Sequence, residues 1–274
     1  MVLSGHSSSY ADERQKNGLR VWRDPPAAGG LNMAADEALA RRSEETNSVL
    51  MRLYGWQPHT VSLGCFQKIT DFSKAGVLVH WPVVRRPSGG GAIIHGTDIT
   101  YGLAVPSSHE WSKRTEDLYS AVHGALVQEL NSRDLKAKLV EVAKKDQEQN
   151  FYCFNRRAFG DLVVEHPLAS SASGDCKILG SAQRRLSCVV LQHGTLLLRR
   201  NPQILGEGSH PGLEDLLQSE AGSVGDVIEG WLQRLADQLG GELIQEAGFS
   251  YSKNNGDIMT RTKRYETATW LNRR

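Results

Sequence analysis

The chain lacks any long uninterrupted apolar run. Its richest stretch, VVLQHGTLLL, is too short and too broken by polar residues to cross a bilayer. A helical membrane protein is thereby excluded, and no membrane partner is expected. The opening MVLSGHSSSYADERQKNG lacks the apolar centre of a secretory signal, so the expected location is the cytoplasm. An excess of one charge is also missing. Lys and Arg number 32 against 31 Asp and Glu, which leaves no polyelectrolyte character and no expected nucleic-acid partner. Cysteines are few, and Cys65, Cys153, Cys176 and Cys188 stand in no metal-ligand spacing. They read as free thiols, and no metal site is expected.

What is present is an ordinary globular composition, 39% hydrophobic over 274 residues, enough for one large core. Residues 1–18 are polar and expected to form a disordered tail, and the length suffices for one large domain or one domain with a small appendage. Apolar spacing predicts helices over 31–42, capped by Asn32, over about 113–132, and over about 224–239. Between them lie strand-like runs, VLMRLYGW, TVSLGCF, GVLVHWPVVRR, GAIIHGTDITYGLAVP, DLVVE, KILGSAQRR and CVVLQHGTLLLRR. HPLASSASGD reads as an enlarged, flexible hairpin loop and LVEVAKKDQEQN as a lead back to the sheet. This order gives an α+β fold, with a mixed or antiparallel sheet packed by helices.

Three clusters carry chemistry. The loop RRPSGGGAIIHG places Gly89, Gly90 and Gly91 in a row after Ser88, and it carries neither the G-K-[ST] nor the G-x-G-x-x-G phosphate pattern. Glycine is costly in ordered chain, so the loop is either a slack turn or a place where a ligand meets backbone. Arg85 and Arg86, on alternating faces, would point one to the site and one to solvent. The second cluster is CKILGSAQRR, where Lys177 leads into Gly180, Ser181 and Ala182. A lysine there either stabilises a carboxylate, oxyanion or thiolate, or is a surface residue at a strand end. The third is YCFN, where Cys153 is either a nucleophile or a small buried hydrophobe. Cys176 is its rival, but as a strand neighbour of Lys177 it points the other way. Cys65 and Cys188 fall in apolar runs and read as core, and His95 and His193 read as ligand donors or structural imidazoles.

Together, LNMAADEAL, MRLYGWQPHTVSLGCFQ, RRPSGGGAIIH, KILGSAQRR, LQHGTLLL and RYETATWLNRR resemble, in order, the lipoate–protein ligase and octanoyltransferase family. The resemblance covers about residues 20–274 and implies the fold shared with biotin protein ligase catalytic domains, as a single catalytic domain over 19–274 with no accessory domain. It implies transfer of an octanoyl or lipoyl group to a lysine of a lipoyl carrier protein. Cys153, the form of HGTDITYGLAVP and the short C-terminus lean to the cysteine-dependent octanoyltransferases. The long HPLASSASGDC, Gly96 in place of an aspartate and Gly91 in place of an arginine depart from their pattern.

On this resemblance Cys153 is the nucleophile and Lys177 holds the carbonyl oxygen. Arg85, Arg86, Ser88, Gly89, Gly90, Gly91, His95, Gly180, Ser181, Ala182 and His193 would bind substrate. The arginines 85, 86, 184 and 185 would meet acidic protein surfaces. Octanoyl-acyl carrier protein is the implied donor. A lipoyl domain, such as glycine cleavage H protein or a 2-oxoacid dehydrogenase E2, is the implied acceptor, and no cofactor is required. The alternatives are a lipoate–protein ligase using ATP and Mg, and a non-catalytic protein that binds lipoyl domains or acyl carriers.

Overall fold

The computed structural model describes residues 18–74, 80–141, 151–165, 174–201, 210–217, 222–249 and 255–273. The chain begins with β1 (Gly18–Arg23), α1 (Gly29–Thr46), β2 (Leu50–Tyr54) and β3 (Thr60–Leu63). α2 (Ile69–Lys74), β4 (Val83–Arg85), β5 (Ile93–His95), β6 (Asp98–Pro106) and α3 (Thr115–Asn131) follow. Then come β7 (Ala137–Leu139), β8 (Leu162–Glu165), β9 (Asp175–Arg185) and β10 (Val189–Leu197). α4 (Leu213–Leu216), α5 (Val224–Gln238), β11 (Glu242–Ala247), α6 (Asn255–Tyr265) and α7 (Ala268–Leu271) close it.

Eight strands form one sheet in the order β11-β1-β2-β6-β10-β9-β8-β7, and a small sheet has the order β4-β3-β5. β1 runs parallel to both β2 and β11, and every pair from β2 to β7 is antiparallel, so the expected mixed α+β architecture is present. β2 is buried on both faces. Met51 and Leu53 enter a core with α3 and α5, while Leu50 and Tyr54 enter a second core under α1 and α6. The large sheet is thus covered on both sides, and its alternation sorts each strand residue to one core or the other.

The periodic helices sit where the spacing predicts. α3 buries Leu118, Val122, Leu126 and Leu130, and α5 buries Val227, Ile228, Trp231, Leu232 and Leu235. α5 starts at a reciprocal cap in which Ser223 Oγ accepts from the Asp226 amide and Asp226 accepts from the Ser223 amide. α1 starts earlier than predicted, at Gly29, and Asn32 is not its cap. Its Nδ2 instead donates to the carbonyls of Ala27 and Gly55, tying the helix start to the end of β2.

Other expectations change. The extended stretch after the glycine loop is two strands, broken at Gly96, whose φ of 144° suits glycine. Gly18 already belongs to β1, and residues 1–17 of the predicted tail lie outside the described residues. Most of HPLASSASGD and of LVEVAKKDQEQN also lies outside them. Cys65 is buried as expected, but Cys188 is exposed, because it sits in the turn between β9 and β10 and not in the strand. Among the described residues, no helix is long and apolar enough to cross a membrane.

Candidate active site

Lys177 owes its position to an irregularity in the β8–β9 pairing. Val163 pairs with Lys177 and the preceding Leu162 pairs with Leu179, so Ile178 is an extra residue on β9. Cys176, Ile178 and Leu179 all enter the α3–α5 core, while Lys177 points to the opposite face. The reading that Cys176 and Lys177 diverge therefore holds, and burial pushes the Cys176 thiol up. The bulge also puts Gly180 on the lysine's side. A Cβ at Gly180 would lie 2.7 Å from Lys177 Cε, so only glycine leaves the ammonium its place.

That ammonium is almost wholly enclosed. Nζ lies 2.7 Å from Asp161 Oδ2 and donates to the Cys153 carbonyl at 3.1 Å. It is also 3.9 Å from Cys153 Sγ and stands over the Phe154 ring at 5.4 Å. Asp161 is held in turn by the Ala158 amide at 2.7 Å. Cys153 opens a one-turn 3-10 helix over Cys153–Asn155 and is half-buried, unlike the lysine beside it.

The triple glycine serves this turn. The Ala92 amide donates to the Phe151 carbonyl and the Cys153 amide donates back to Ala92, at 2.9 and 2.8 Å. A Cβ on Gly91 would lie 2.9 Å from the Cys153 nitrogen, and Gly90 takes a φ of 91°. Gly89 meets only the exposed Phe66 ring, at ordinary contact distance. The missing side chain at Gly91 therefore admits the cysteine's own backbone, so that stretch of main chain is not left free for a ligand.

Arg85 and Arg86 require a correction. Neither reaches solvent: they are 0% and 3% exposed. Arg86 donates to the carbonyls of Ser62, Gly89 and Gly91, and Arg85 to those of Gly64, Gln67 and Leu271. Loop carbonyls left without a ladder demand donors, and these guanidiniums supply them. Arg184 and Arg185 are the exposed pair, though each also holds a backbone carbonyl, of Pro87 and of Ser112 respectively.

The histidines divide. His95 is enclosed: Nδ1 donates to Asp98 at 2.8 Å, Nε2 accepts from Ser62 Oγ at 2.7 Å, and the ring stacks on Trp56. Burial pushes its pKa down, so it is a neutral link to Arg86 through Ser62. His193 joins Ser88 Oγ at 3.1 Å and lies 2.9 Å from Asp36. Ser181 faces away from the glycine loop, bonding Tyr101 and His123, whereas Ala182 lies on the side of Gly90. His123 donates from Nδ1 to the Gly160 carbonyl, and burial holds its pKa down to about 4.

The structure thus brings together Cys153, Lys177, Gly180 and Gly91, with Gly90 and Ala182 beside them. It keeps Arg85, His95 and Ser181 out of that corner. Asp161 and Asp36 escaped the sequence reading, because an acid in a loop or helix carries no sign of the cation it will meet. Among the described residues, no group of three His, Cys, Asp or Glu side chains is placed to hold a metal ion.

Residues 29–223 match the family model of the lipoyl protein ligase A/B catalytic domain. The chain is 34% identical over 202 residues to octanoyltransferase LipM of Geobacillus kaustophilus, covering 68% of each protein. It is 31% identical over 194 residues to the LipM of Bacillus subtilis, covering 67% of this chain and 66% of that one. In fold it resembles a bi-partite lipoate protein ligase from Thermoplasma acidophilum, with a TM-score of 0.66 at 17% identity, over 94% of this chain and 96% of that one.

Proposed function

The chain belongs to the lipoyl protein ligase A/B catalytic domain family, and from that premise we propose that Cys153 carries an octanoyl group from acyl carrier protein to a lipoyl-domain lysine. The activity is acyl transfer in protein lipoylation, the activity named for its octanoyltransferase relatives. The observation that carries the cysteine's role is the 3.9 Å approach of Lys177 Nζ to Cys153 Sγ, on a residue that is only half-buried.

The chemistry follows from that contact. Negative charge gathers on sulfur as its proton leaves, then passes to the thioester oxygen as the sulfur attacks and the tetrahedral intermediate forms. A fixed cation beside both stabilises each in turn, and it is worth most where water is excluded. Lys177 is held by Asp161 and by the Cys153 carbonyl, so little reorganisation remains to be done when charge develops. In the first step the Cys153 sulfur bonds the acyl carbon and the carrier thiol leaves with the cysteine's proton. In the second, the acceptor amine bonds that carbon, the cysteine thiol is restored and an amide remains. Thioester to amide is downhill, so neither step draws on ATP.

The test is direct. The protein is incubated with octanoyl-acyl carrier protein without ATP, and intact mass is read for an added octanoyl group. The adduct is expected, and Cys153→Ala is expected to abolish both adduct and transfer. Product made only from free acid plus ATP, and insensitive to that substitution, refutes the reading in favour of a ligase.

A further inference from the structure

Arg86 is a buried cation without a carboxylate. Its Nη1 donates to the carbonyl and hydroxyl of Ser62 at 2.7 and 2.6 Å, and its Nη2 to the carbonyls of Gly89 and Gly91 at 3.0 and 2.8 Å. All four acceptors are neutral, and among the described residues no carboxylate lies within ion-pair distance of the guanidinium. The hydrogen bonds that continue through Ser62 and neutral His95 reach a carboxylate only at Asp98. Arg52 and Lys177 differ. Arg52 meets two carboxylates, and Lys177 meets Asp161, so the Lys177 pair offers Cys153 a donor but no net charge. A buried ion without a partner is costly, and Arg86 leaves one positive charge uncompensated.

That charge lies under the loop that seats the cysteine turn. A Cβ on Gly90 would lie 3.4 Å from Arg86 Nη2, and one on Gly91, whose carbonyl Arg86 holds, would lie 3.1 Å from Cys153 Cα. Burial pushes the guanidinium's pKa down, and Cys153, then Cys65 and Tyr54, oppose that push. Of these three, burial keeps Tyr54 neutral by raising its pKa, and Cys65 is buried, whereas Cys153 is only half-buried. Resting on the thioester reading above, we infer that Arg86 supplies the counter-charge for the negative charge that gathers on the Cys153 sulfur and then on the thioester oxygen. It touches neither sulfur nor substrate, so it is a positioning residue that acts through its field.

The charge at a thiol is read from its alkylation rate with iodoacetate, an anion, divided by its rate with neutral iodoacetamide. The ratio is measured on the full chain at low salt and resolved at Cys153 by peptide mass. In the folded chain it is expected to exceed the ratio for the same thiol in urea about tenfold, as one nearby positive charge would cause. Lys177→Met with Asp161→Asn removes a neutral pair and is expected to leave that excess in place. Arg86→Gln keeps an amide donor without the charge. It is expected to abolish the excess and to slow the octanoyl adduct, at saturating octanoyl-acyl carrier protein, about tenfold. Arg86→Lys keeps the charge and is expected to retain most of both. The melting temperature of each variant is the fold control. No excess in the unaltered chain overturns the inference, as does its loss with the Lys177–Asp161 pair, and both readings stand even where neither Arg86 variant folds. A folded Arg86→Gln that keeps the excess also overturns it, as do equal losses in the Gln and Lys variants, the mark of a residue that only holds the loop. No adduct on the unaltered chain refutes the Cys153 reading itself, and is distinct from an alkylation ratio that does not move.

Discussion

Of two buried ionic clusters among the described residues, one is closed on itself and the other borders Cys153, the proposed nucleophile. Under α1, Arg52 lies between Asp24 at 2.8 Å and Asp36 at 2.6 Å, and Tyr54 donates its hydroxyl to Asp36. The side chains of Arg52, Asp24 and Asp36 are all 0% exposed. Burial pushes the Asp36 carboxyl up, but His193 and Arg52 outweigh it and hold it below the usual carboxylate range. Even the neighbouring strand yields to this cluster, since a Cβ at Gly102 would lie 2.4 Å from Asp36 Oδ1. In the other cluster, Lys177 pairs with the Asp161 carboxylate, also donates to the carbonyls of Cys153 and Arg156, and approaches the Cys153 sulfur.

The difference is access, since both clusters hold paired buried charge. A closed pair returns part of its desolvation cost as rigidity, whereas a pair that borders a half-buried cysteine can spend its field on a reaction. The two are linked through the glycine loop, because Asp36 lies beside His193, which bonds Ser88.

Four perturbations sharpen or break this contrast. Cys153→Ala should cost on the order of 10^4-fold in octanoyl transfer, with the urea midpoint of unfolding little changed. Arg52→Met should do the reverse. By leaving two buried carboxylates short of a cation it should cost about 3–5 kcal/mol of stability in urea unfolding. The protein that remains folded should still form the acyl adduct. If that adduct disappears while the fold persists, the separation of the two clusters is wrong.

Gly91→Ala tests whether the loop's open backbone exists for the cysteine turn. Its Cβ would lie 2.9 Å from the Cys153 nitrogen, so the sulfur should shift against Lys177 and kcat/KM should fall about 10^2-fold. Gly89→Ala, which meets only the Phe66 ring at 3.7 Å, serves as its control and should change little.

The smallest effect is the pH dependence. His123 and His210 are both held down to about 4 by burial, below the ordinary value of 6.5. Between those values the unfolded chain binds protons that the folded chain refuses, so their contribution to stability is full above pH 6.5 and fades as pH falls toward 4. From pH 6.5 to 5.5 each should cost about 1 kcal/mol, read as a falling urea midpoint. His123→Gln should flatten this slope by one proton's worth.

α1, α3 and α5 were legible because one-sided burial leaves a helical period, and most central strands because they are short apolar, β-rich runs, whereas α2, α4, α6 and α7 were not read. Leu118, Val122, Leu126 and Leu130 mark α3 without help from the rest of the chain. β7 and β11, edge strands of the sheet with weaker alternation, were not read, and neither was the interior strand β1. Arg85 and Arg86 were misread because adjacent arginines are ordinarily solvated. Here the loop carbonyls claim their donors, and Trp270 and Leu271 of α7, nearly two hundred residues on, close over Arg85. Such a partner leaves no local signal.

By itself the sequence determined the candidate reagents. A lone cysteine between aromatics, a lysine ahead of small residues and three glycines in a row were visible as chemistry and, through the resemblance, as a family. Only the tertiary structure decided what those residues face. The extra Ile178 sets Lys177 and Gly180 on one side of β9, because strand residues alternate faces and one added residue reverses the count. The glycines accept the backbone of the cysteine turn, because contact distance in a folded chain depends on segments some sixty residues apart. Asp161, unremarked in the chain, is 2.7 Å from the lysine for the same reason.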